Sequence, residues 1–361
     1  MVDCLIYFVV FTIVFLLNFL AMRQPRVGVR SFLVVVSFMT LLLFIGFRYN
    51  VGTDYEHYLN DYYDISGIPW GDLPALRMEL LVAVIFKLCS FVLPDARLLF
   101  VVLGFLLLWP IYKVNKLYDY RYLAYSILIY CILFLPFGLN GIRQGIAMGF
   151  MLLAFVYLIK NKVKYGMANF IIAVLFHTSS LIALPYMVAI CFSKWRKISF
   201  TKLNIVLTGL IAVMVLFFLS SLLINSGFMQ YDYILGNVDA DRISLNSFVA
   251  YIPIVILIFA FSGGKTERDE ILILKNLTVS GVVFNTVGTA AQYLSRFGLF
   301  FLMPSIILLP RLVQSISKKN TRIVVKCLLI IYLIGFFYVQ YSLWGRHEIL
   351  PYQTWILEGY M

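Results

Sequence analysis

Long apolar runs, repeated along almost the whole chain, constrain this sequence more than any other feature. A helix needs about 20 apolar residues to cross a bilayer. Runs of that order fall near residues 5–22, 31–47, 122–137, 144–160, 203–224, 248–262, 271–290, 297–310 and 323–343. Of the 361 residues, 62% are hydrophobic and 13% charged, with a mean hydropathy of +0.94. A soluble domain carries roughly twice that share of charge, so lipid is the expected solvent. Helices, which satisfy their own backbone groups, are the expected way to live there. The fold class is therefore all-α and polytopic. No polar stretch exceeds one long loop, so residues 1–361 read as a single integral membrane domain. The first run, Cys4 to Met22, has the length of a span and no small-residue cleavage site, and reads as a retained helix rather than a removed signal.

Two regions resist a simple count. Residues 79–112 are interrupted at Pro94 and Asp95, and residues 166–192 around His177 and Pro185. The positive-inside rule orders both. Six linkers are basic: Arg23–Arg30, Lys113–Arg121, Lys160–Lys164, Lys194–Lys202, Lys265–Lys275 and Arg311–Lys326. Cytoplasmic placement of all six puts both termini outside, makes 79–112 cross once, and makes 166–192 enter and return. Folded as a hairpin, the latter gives two half-length helices, tolerated only where protein or a water-filled cavity shields the freed backbone. The expected architecture has about ten crossings and one re-entrant or broken helix pair with His177 at its tip. It leaves residues 48–78, 225–247 and the tail 345–361 outside.

The charge distribution excludes one class of partner. The net charge is +12, but the basic residues sit between apolar runs, where topology signals belong, so nucleic acid is not expected. Cys4, Cys89, Cys131, Cys191 and Cys327 lie within apolar runs without short pairing, and give neither a disulfide framework nor a CxxC site. The three histidines share no recurring spacing, so no metal centre is expected.

This topology also gathers Arg48, the acid-rich segment Asp54–Asp72, Glu79, Arg143, His177, Arg296 and His347 at the outer face. Each has a plain structural reading beside a functional one. Arg48 ends an apolar helix, where a snorkelling arginine is common. It also opens the run Arg48-Tyr49-Asn50-Val51-Gly52-Thr53-Asp54-Tyr55-Glu56-His57-Tyr58, whose glycine permits a tight turn and whose aromatics suit an interface or a sugar ring. Glu79, in a first helical turn after Pro74, favours the helix dipole or holds an arginine. In Asn140-Gly141-Ile142-Arg143-Gln144-Gly145-Ile146-Ala147-Met148-Gly149, glycines recur every four residues and let another helix approach closely. Arg143 lies about 200° from that stripe. At bilayer depth it would cost about 2.5–3.5 kcal/mol, so an anionic partner is expected, either Glu79 or a ligand phosphate.

His177 sits in Phe176-His177-Thr178-Ser179-Ser180. A lone histidine between apolar runs often fills a structural role. At a helix break beside hydroxyls, a side chain with an ordinary pKa of about 6.5 also suits general-base work. Arg296, in Tyr293-Leu294-Ser295-Arg296-Phe297, starts another span as an interfacial anchor or a ligand contact. The tail Arg346-His347-Glu348-Ile349-Leu350-Pro351-Tyr352 reads as a polar cover or as part of the site. Outer-face arginines around a cavity point to an anionic ligand, because guanidinium groups bind phosphate oxygens bidentately. An acid-rich loop with many tyrosines suits a polyhydroxylated sugar. A lipid diphosphate carrying sugar unites the two.

Taken in order, Arg48…Val51-Gly52-Thr53-Asp54-Tyr55, Glu79, Ile142-Arg143-Gln144-Gly145-Ile146-Ala147, Phe176-His177-Thr178-Ser179, Ser295-Arg296 and Pro351-Tyr352 resemble the blocks of EpsG-like polysaccharide polymerases and O-antigen polymerases (Wzy). The resemblance implies a GT-C-like membrane glycosyltransferase of the bacterial inner membrane, without nucleotide sugar, metal or other cofactor. Its substrate would be undecaprenyl-diphosphate-linked oligosaccharide repeats at the periplasmic face, for surface polysaccharide such as lipopolysaccharide. Membrane lipid and a chain-length regulator would be its partners. Arg143 and Arg296 would hold the diphosphate, with Arg48 assisting. His177 would take or orient the acceptor proton, Asp54 is the competing base, and Glu79 would fix an arginine. Tyr55, Gln144 and His347 would complete the substrate contacts. Two other classes remain open: a lipid-linked oligosaccharide flippase or transporter, although the halves show no internal repeat, and a membrane O-acyltransferase.

Overall fold

The fold comes from a computed structural model that describes residues 4–76, 78–196, 245–261, 269–290 and 295–358. Among these residues the backbone satisfies itself in helices, with no strand and one isolated bridge between Arg48 and Thr354. The first half holds α1 (Leu5–Arg23), α2 (Val27–Gly46), α3 (Tyr55–Gly67), α4 (Leu80–Val92) and α5 (Arg97–Tyr118). It continues with α6 (Leu123–Leu133), α7 (Leu135–Asn140), α8 (Ile142–Ile159), α9 (Val163–Phe176) and α10 (Leu184–Arg196). After these come α11 (Leu245–Ala260), α12 (Asp269–Val287), α13 (Ser295–Leu302), α14 (Ser305–Gln314), α15 (Lys319–Phe337) and the short α16 (Trp355–Glu358).

Six helices, α1, α2, α5, α8, α12 and α15 with its π-turn to Leu343, are long and apolar enough to cross a membrane. The bent pair α13 and α14, kinked by 47°, makes a seventh if it is one span. The protein is an all-helical membrane protein, with fewer full-length spans among the described residues than the apolar runs led one to expect. The run 203–224 and most of the loop 225–247 lie outside those residues. The run 122–137 is not one rod. Its ladder stops at Phe134, because Pro136 at the start of α7 has no N–H to continue it. Residues 79–112 resolve into a 13-residue α4 and a 22-residue α5, so Lys113 and Lys116 fall inside α5 rather than in a linker. The break at His177 lies where the sequence placed it, between α9 and a 3₁₀ turn, Thr178–Ala183, that leads into α10.

The chain forms two compact units. The first comprises Met1–Gly149, Leu175–His177 and Ile331–Met361. In it α1 packs on α2 and α6, and α2 packs on α5. Asn18 donates to Ser37 at 2.5 Å, and Ser37 lies 2.8 Å from the Tyr112 hydroxyl, so one polar chain ties α1, α2 and α5 together. Such interhelical bonds specify pairing where lipid gives helices no hydrophobic reason to associate. The glycine stripe behaves as its spacing predicts. A Cβ at Gly149 would lie 2.6 Å from Pro110 Cγ, and one at Gly145 would lie 2.9 Å from Leu107 Cδ1, so the start of α8 beds directly on α5.

The tail of the first unit is a strap rather than a loose cover. Tyr49 N–H donates to Gln353 O at 2.9 Å, Gly52 N–H to Glu348 O at 3.1 Å, and Trp355 N–H to Phe47 O at 3.0 Å. The Tyr352 ring stacks on Phe44 with centroids 4.3 Å apart. The Tyr7 hydroxyl donates to Ile349 O at 2.8 Å. The second unit comprises Phe150–Val174 and Thr178–Ile330. Its centre is α12, which packs on α11, α13 and α14, and the Tyr186 hydroxyl bonds to Ser280 on α12.

Candidate active site

Glu79 organises the first unit's polar centre. It stands at the N-cap of α4 with extended backbone (φ −60°, ψ 130°), but its side chain does not cap the helix. One carboxylate oxygen lies 2.8 Å from Arg143 NH1 and the other 2.8 Å from His177 Nδ1. Arg143 is in the first turn of α8, and His177 terminates α9. The three side chains are 11%, 28% and 10% exposed respectively, so Arg143 alone keeps a sizeable face open. Burial pushes the Glu79 carboxyl up. The hydrogen bond from His177, the His177 charge and the Arg143 charge outweigh it and hold the pKa at about 2. An ionised carboxylate only accepts, so His177 donates through Nδ1. When the ring is neutral, its Nε2 therefore carries a lone pair.

The helix α3 covers this centre. The Tyr58 ring lies 5.9 Å from the Arg143 guanidinium, and burial raises its hydroxyl pKa against the lowering pull of Arg143. One turn on, Asp61 is half-buried. Burial raises its carboxyl, and the charges of Arg143 and His57 act in the opposite direction.

A second polar centre lies at the end of α7. Arg48 has no exposed surface. Its NH1 donates to Ile45 O at 3.0 Å and its NH2 to Leu139 O at 3.1 Å. Those carbonyls belong to the last turns of α2 and α7, where the helix dipole is negative. The Phe100 and Tyr55 rings face the guanidinium at 4.9 and 5.9 Å. Arg48 is thus compensated by helix ends and aromatic faces rather than by a carboxylate. Tyr55 is equally enclosed and stacks on Phe100 at 4.6 Å. Asp54 is the N-cap residue of α3. Its backbone N–H donates to Asn140 Oδ1 at 2.9 Å, and the Thr53 hydroxyl donates to the same oxygen at 2.6 Å. The Asn140 amide nitrogen stands 3.3 Å from His347 Nδ1. Gly52 (φ +98°) fits this junction because a Cβ there would lie 3.1 Å from Leu139 O.

The structure therefore brings Glu79, Arg143 and His177 into one bonded group, and gathers Arg48, Asp54, Tyr55 and His347 around the α7–α8 junction. Gln144 is buried in the first turn of α8. Arg296 opens α13 in the second unit, where Asn285 donates to the neighbouring Ser295 carbonyl at 2.9 Å. Sequence reasoning gave no role to Asn140, Tyr58 or Asp61. Asn140 was legible as a polar residue two positions before the start of α8, where side-chain oxygens commonly hold neighbouring backbone donors. Among the described residues no three or more His, Cys, Asp or Glu come together to hold a metal ion.

The described residues thus form an all-helical membrane protein in which a carboxylate joins an arginine and a histidine from three separate helix ends. The sequence model of the EpsG family matches residues 31–354, and the chain belongs to that family. Membership points to a polysaccharide polymerase of glycosyltransferase-like function. No curated protein and no solved structure matches the chain.

Proposed function

We propose that this protein joins lipid-diphosphate-linked oligosaccharide repeats, with His177 as general base and Arg143 stabilising the leaving diphosphate. The observation that carries the reading is the Glu79 carboxylate, bonded at 2.8 Å to both Arg143 and His177. In this mechanism an acceptor sugar hydroxyl gives its proton to His177 Nε2. Its oxygen attacks the anomeric carbon of the donor, and the bond to the lipid diphosphate breaks with the electron pair leaving on the diphosphate. Glu79 keeps the ring oriented and stabilises the imidazolium that forms. It also pins one guanidinium nitrogen, so Arg143 is fixed before charge develops, which is where electrostatic catalysis is strongest.

Asp54, whose backbone N–H rather than its carboxylate bonds Asn140, is the competing base. Arg48 and Tyr55, both enclosed, take positioning parts. Arg296 remains a second diphosphate-binding arginine on the strength of the resemblance. The finer reading completes the proposal: undecaprenyl diphosphate as carrier, a GT-C-like fold of about ten crossings, and a bacterial inner-membrane location. Both termini and the site would lie on the periplasmic side, with a chain-length regulator as partner.

The test is the surface-glycan ladder of cells lacking the gene, complemented with wild type or with His177→Ala or Arg143→Ala at matched expression. Deletion is expected to leave glycan carrying one repeat unit, and only wild type to restore the ladder. Loss of the single-repeat band as well would place the defect upstream, at lipid-linked oligosaccharide transport, and overturn the polymerase reading.

A further inference from the structure

Asn140 is the point where three separated segments meet. It closes α7 and is 1% exposed. Its Oδ1 takes a hydroxyl donor from Thr53 and a backbone donor from Asp54, at 2.6 and 2.9 Å. Two donors on one atom settle which end of the amide is oxygen. The NH2 therefore faces the tail and donates to His347 Nδ1, 3.3 Å away. His347 makes this contact from a left-handed backbone (φ +67°), followed by Glu348 at φ +47°. Non-glycine residues adopt that conformation only where surroundings over-determine it. The Glu348 carbonyl in turn accepts from Gly52 N–H at 3.1 Å, which closes the junction.

What this junction positions is the machinery beside it. Thr53 and Asp54 start α3, which lays Tyr58 against Arg143. Three residues after Asn140 comes Arg143 itself, within a first helical turn whose Gly145 N–H donates to Gly141 O at 2.9 Å. A shift of the amide moves the start of α3 and the start of α8 relative to each other. The bond also fixes the ring it touches: a neutral His347 that accepts at Nδ1 carries its proton on Nε2.

We propose that Asn140 is a positioning residue for this site, whose side-chain amide sets the register of α3 and the His347 tail against the helix that carries Arg143. The proposal rests on the polymerase reading for its activity assay, and its local geometry is testable without it. The experiment uses full-length protein in membranes, with variants Asn140→Leu, Asn140→Asp and His177→Ala compared at matched folded amount. Asn140→Leu removes both hydrogen-bonding functions. It is expected to lower kcat for polymerisation of lipid-linked repeats by about tenfold or more, since ångström-scale misplacement is costly, with KM changed less than about twofold. Asn140→Asp keeps the acceptor for Thr53 and Asp54, and His347 can move its proton to Nδ1 and donate. It is expected to recover most of the lost kcat.

Wild-type kcat in Asn140→Leu, or equal impairment in both Asn140 variants, overturns the proposal. Nitrogen-15 spectra of labelled wild-type protein at alkaline pH supply a readout that needs neither turnover nor an Asn140 variant. The three histidines are His57, His177 and His347, each identified by its removal. Neutral His347 is expected to hold its proton on Nε2, and finding it on Nδ1 overturns the proposal. Full activity in His177→Ala would remove the base from the polymerase reading and leave the Asn140 result standing on its own.

Discussion

The Glu79 carboxylate faces His177 Nδ1 at 2.8 Å across 98 residues of chain, and its second oxygen meets Arg143 at the same distance. The arrangement gives one anion two tasks: it sets the histidine's tautomer and it immobilises a cation. Glu79→Gln keeps the shape and an acceptor for His177 but removes the charge. It also turns an NH2 group towards one of two donors. The variant is expected to lose polymerisation activity by about a hundredfold, the lower range for loss of acid–base function. Glu79→Asp, shorter by one methylene, cannot span both partners and is expected to fall nearly as far. Initial rates in membranes with quantified protein check both.

Arg143→Lys separates charge from geometry. Lysine preserves the cation but presents a point donor where arginine presents a planar fork. With one donor committed to Glu79, little remains to hold a diphosphate. A drop of at least about tenfold in kcat/KM is expected, against the roughly 1.5–3 kcal/mol typical of charge-assisted bonds. Full activity in this variant would sink the bidentate phosphate contact.

Acid stability follows from the same carboxylate. Its folded pKa of about 2 lies below the ordinary 4.5. Its contribution is therefore fully present above pH 4.5 and is lost as pH falls towards 2. The shift corresponds to stability on the order of 3 kcal/mol. Wild type is expected to lose about that much between those limits, and Glu79→Gln to show a flatter profile there. Unfolding in detergent across that window, followed by helical circular dichroism, distinguishes the two.

Gly149 offers a packing test away from the polar centre. A Cβ there would sit 2.6 Å from Pro110 Cγ, part of a rigid ring inside α5. Neither partner can yield cheaply, so Gly149→Ala is expected to destabilise by about 1–3 kcal/mol, the usual cost of overpacking. A lowered midpoint of thermal unfolding, without a change in KM, is the expected result.

How much of this was legible in the sequence depended on whether the signal was local. α1, α2 and α8 lie within a few residues of their apolar runs, because length and hydropathy are properties of the segment itself. The helix break at His177 and the glycine stripe on α8 are equally local and were readable. So was the division of α4 from α5, at Pro94 and Asp95, but the reach of α5 to Tyr118 was not. Lys113 and Lys116 look like a linker, yet long basic side chains can stay on a helix and lie along its apolar surface, as Lys113 does over Trp109, one turn back, at 5.9 Å. Partners across the fold leave no local trace. Glu79 stood as one of two candidate partners for Arg143, and the structure pairs them; its bond to His177, the Asn140 junction and the tail strap needed three-dimensional contacts.

Arg48 is the residue whose placement differs most from a surface anchor, and it supplies the last test. Its guanidinium is wholly enclosed, donates to Ile45 O and Leu139 O, and lies under the Phe100 ring at 4.9 Å. Arg48→Met fills much of the volume but leaves those carbonyls without their donor at the ends of α2 and α7. Hydrogen bonds to a charged group contribute about 1.5–3 kcal/mol. Losing two of them, with some relief of desolvation, is expected to cost about 3 kcal/mol. The loss should appear first where Arg48 bridges to Thr354, in the strap held by Tyr49 and Trp355 backbone bonds. Limited proteolysis is therefore expected to cut after Tyr352 or Trp355 in Arg48→Met at protease levels that leave wild type intact. Arg48→Lys, which keeps the charge but cannot reach both carbonyls, is expected to fall between the two. Equal protection in all three proteins would show that the strap is held by its aromatic packing on Phe44 and Tyr7 and not by the arginine.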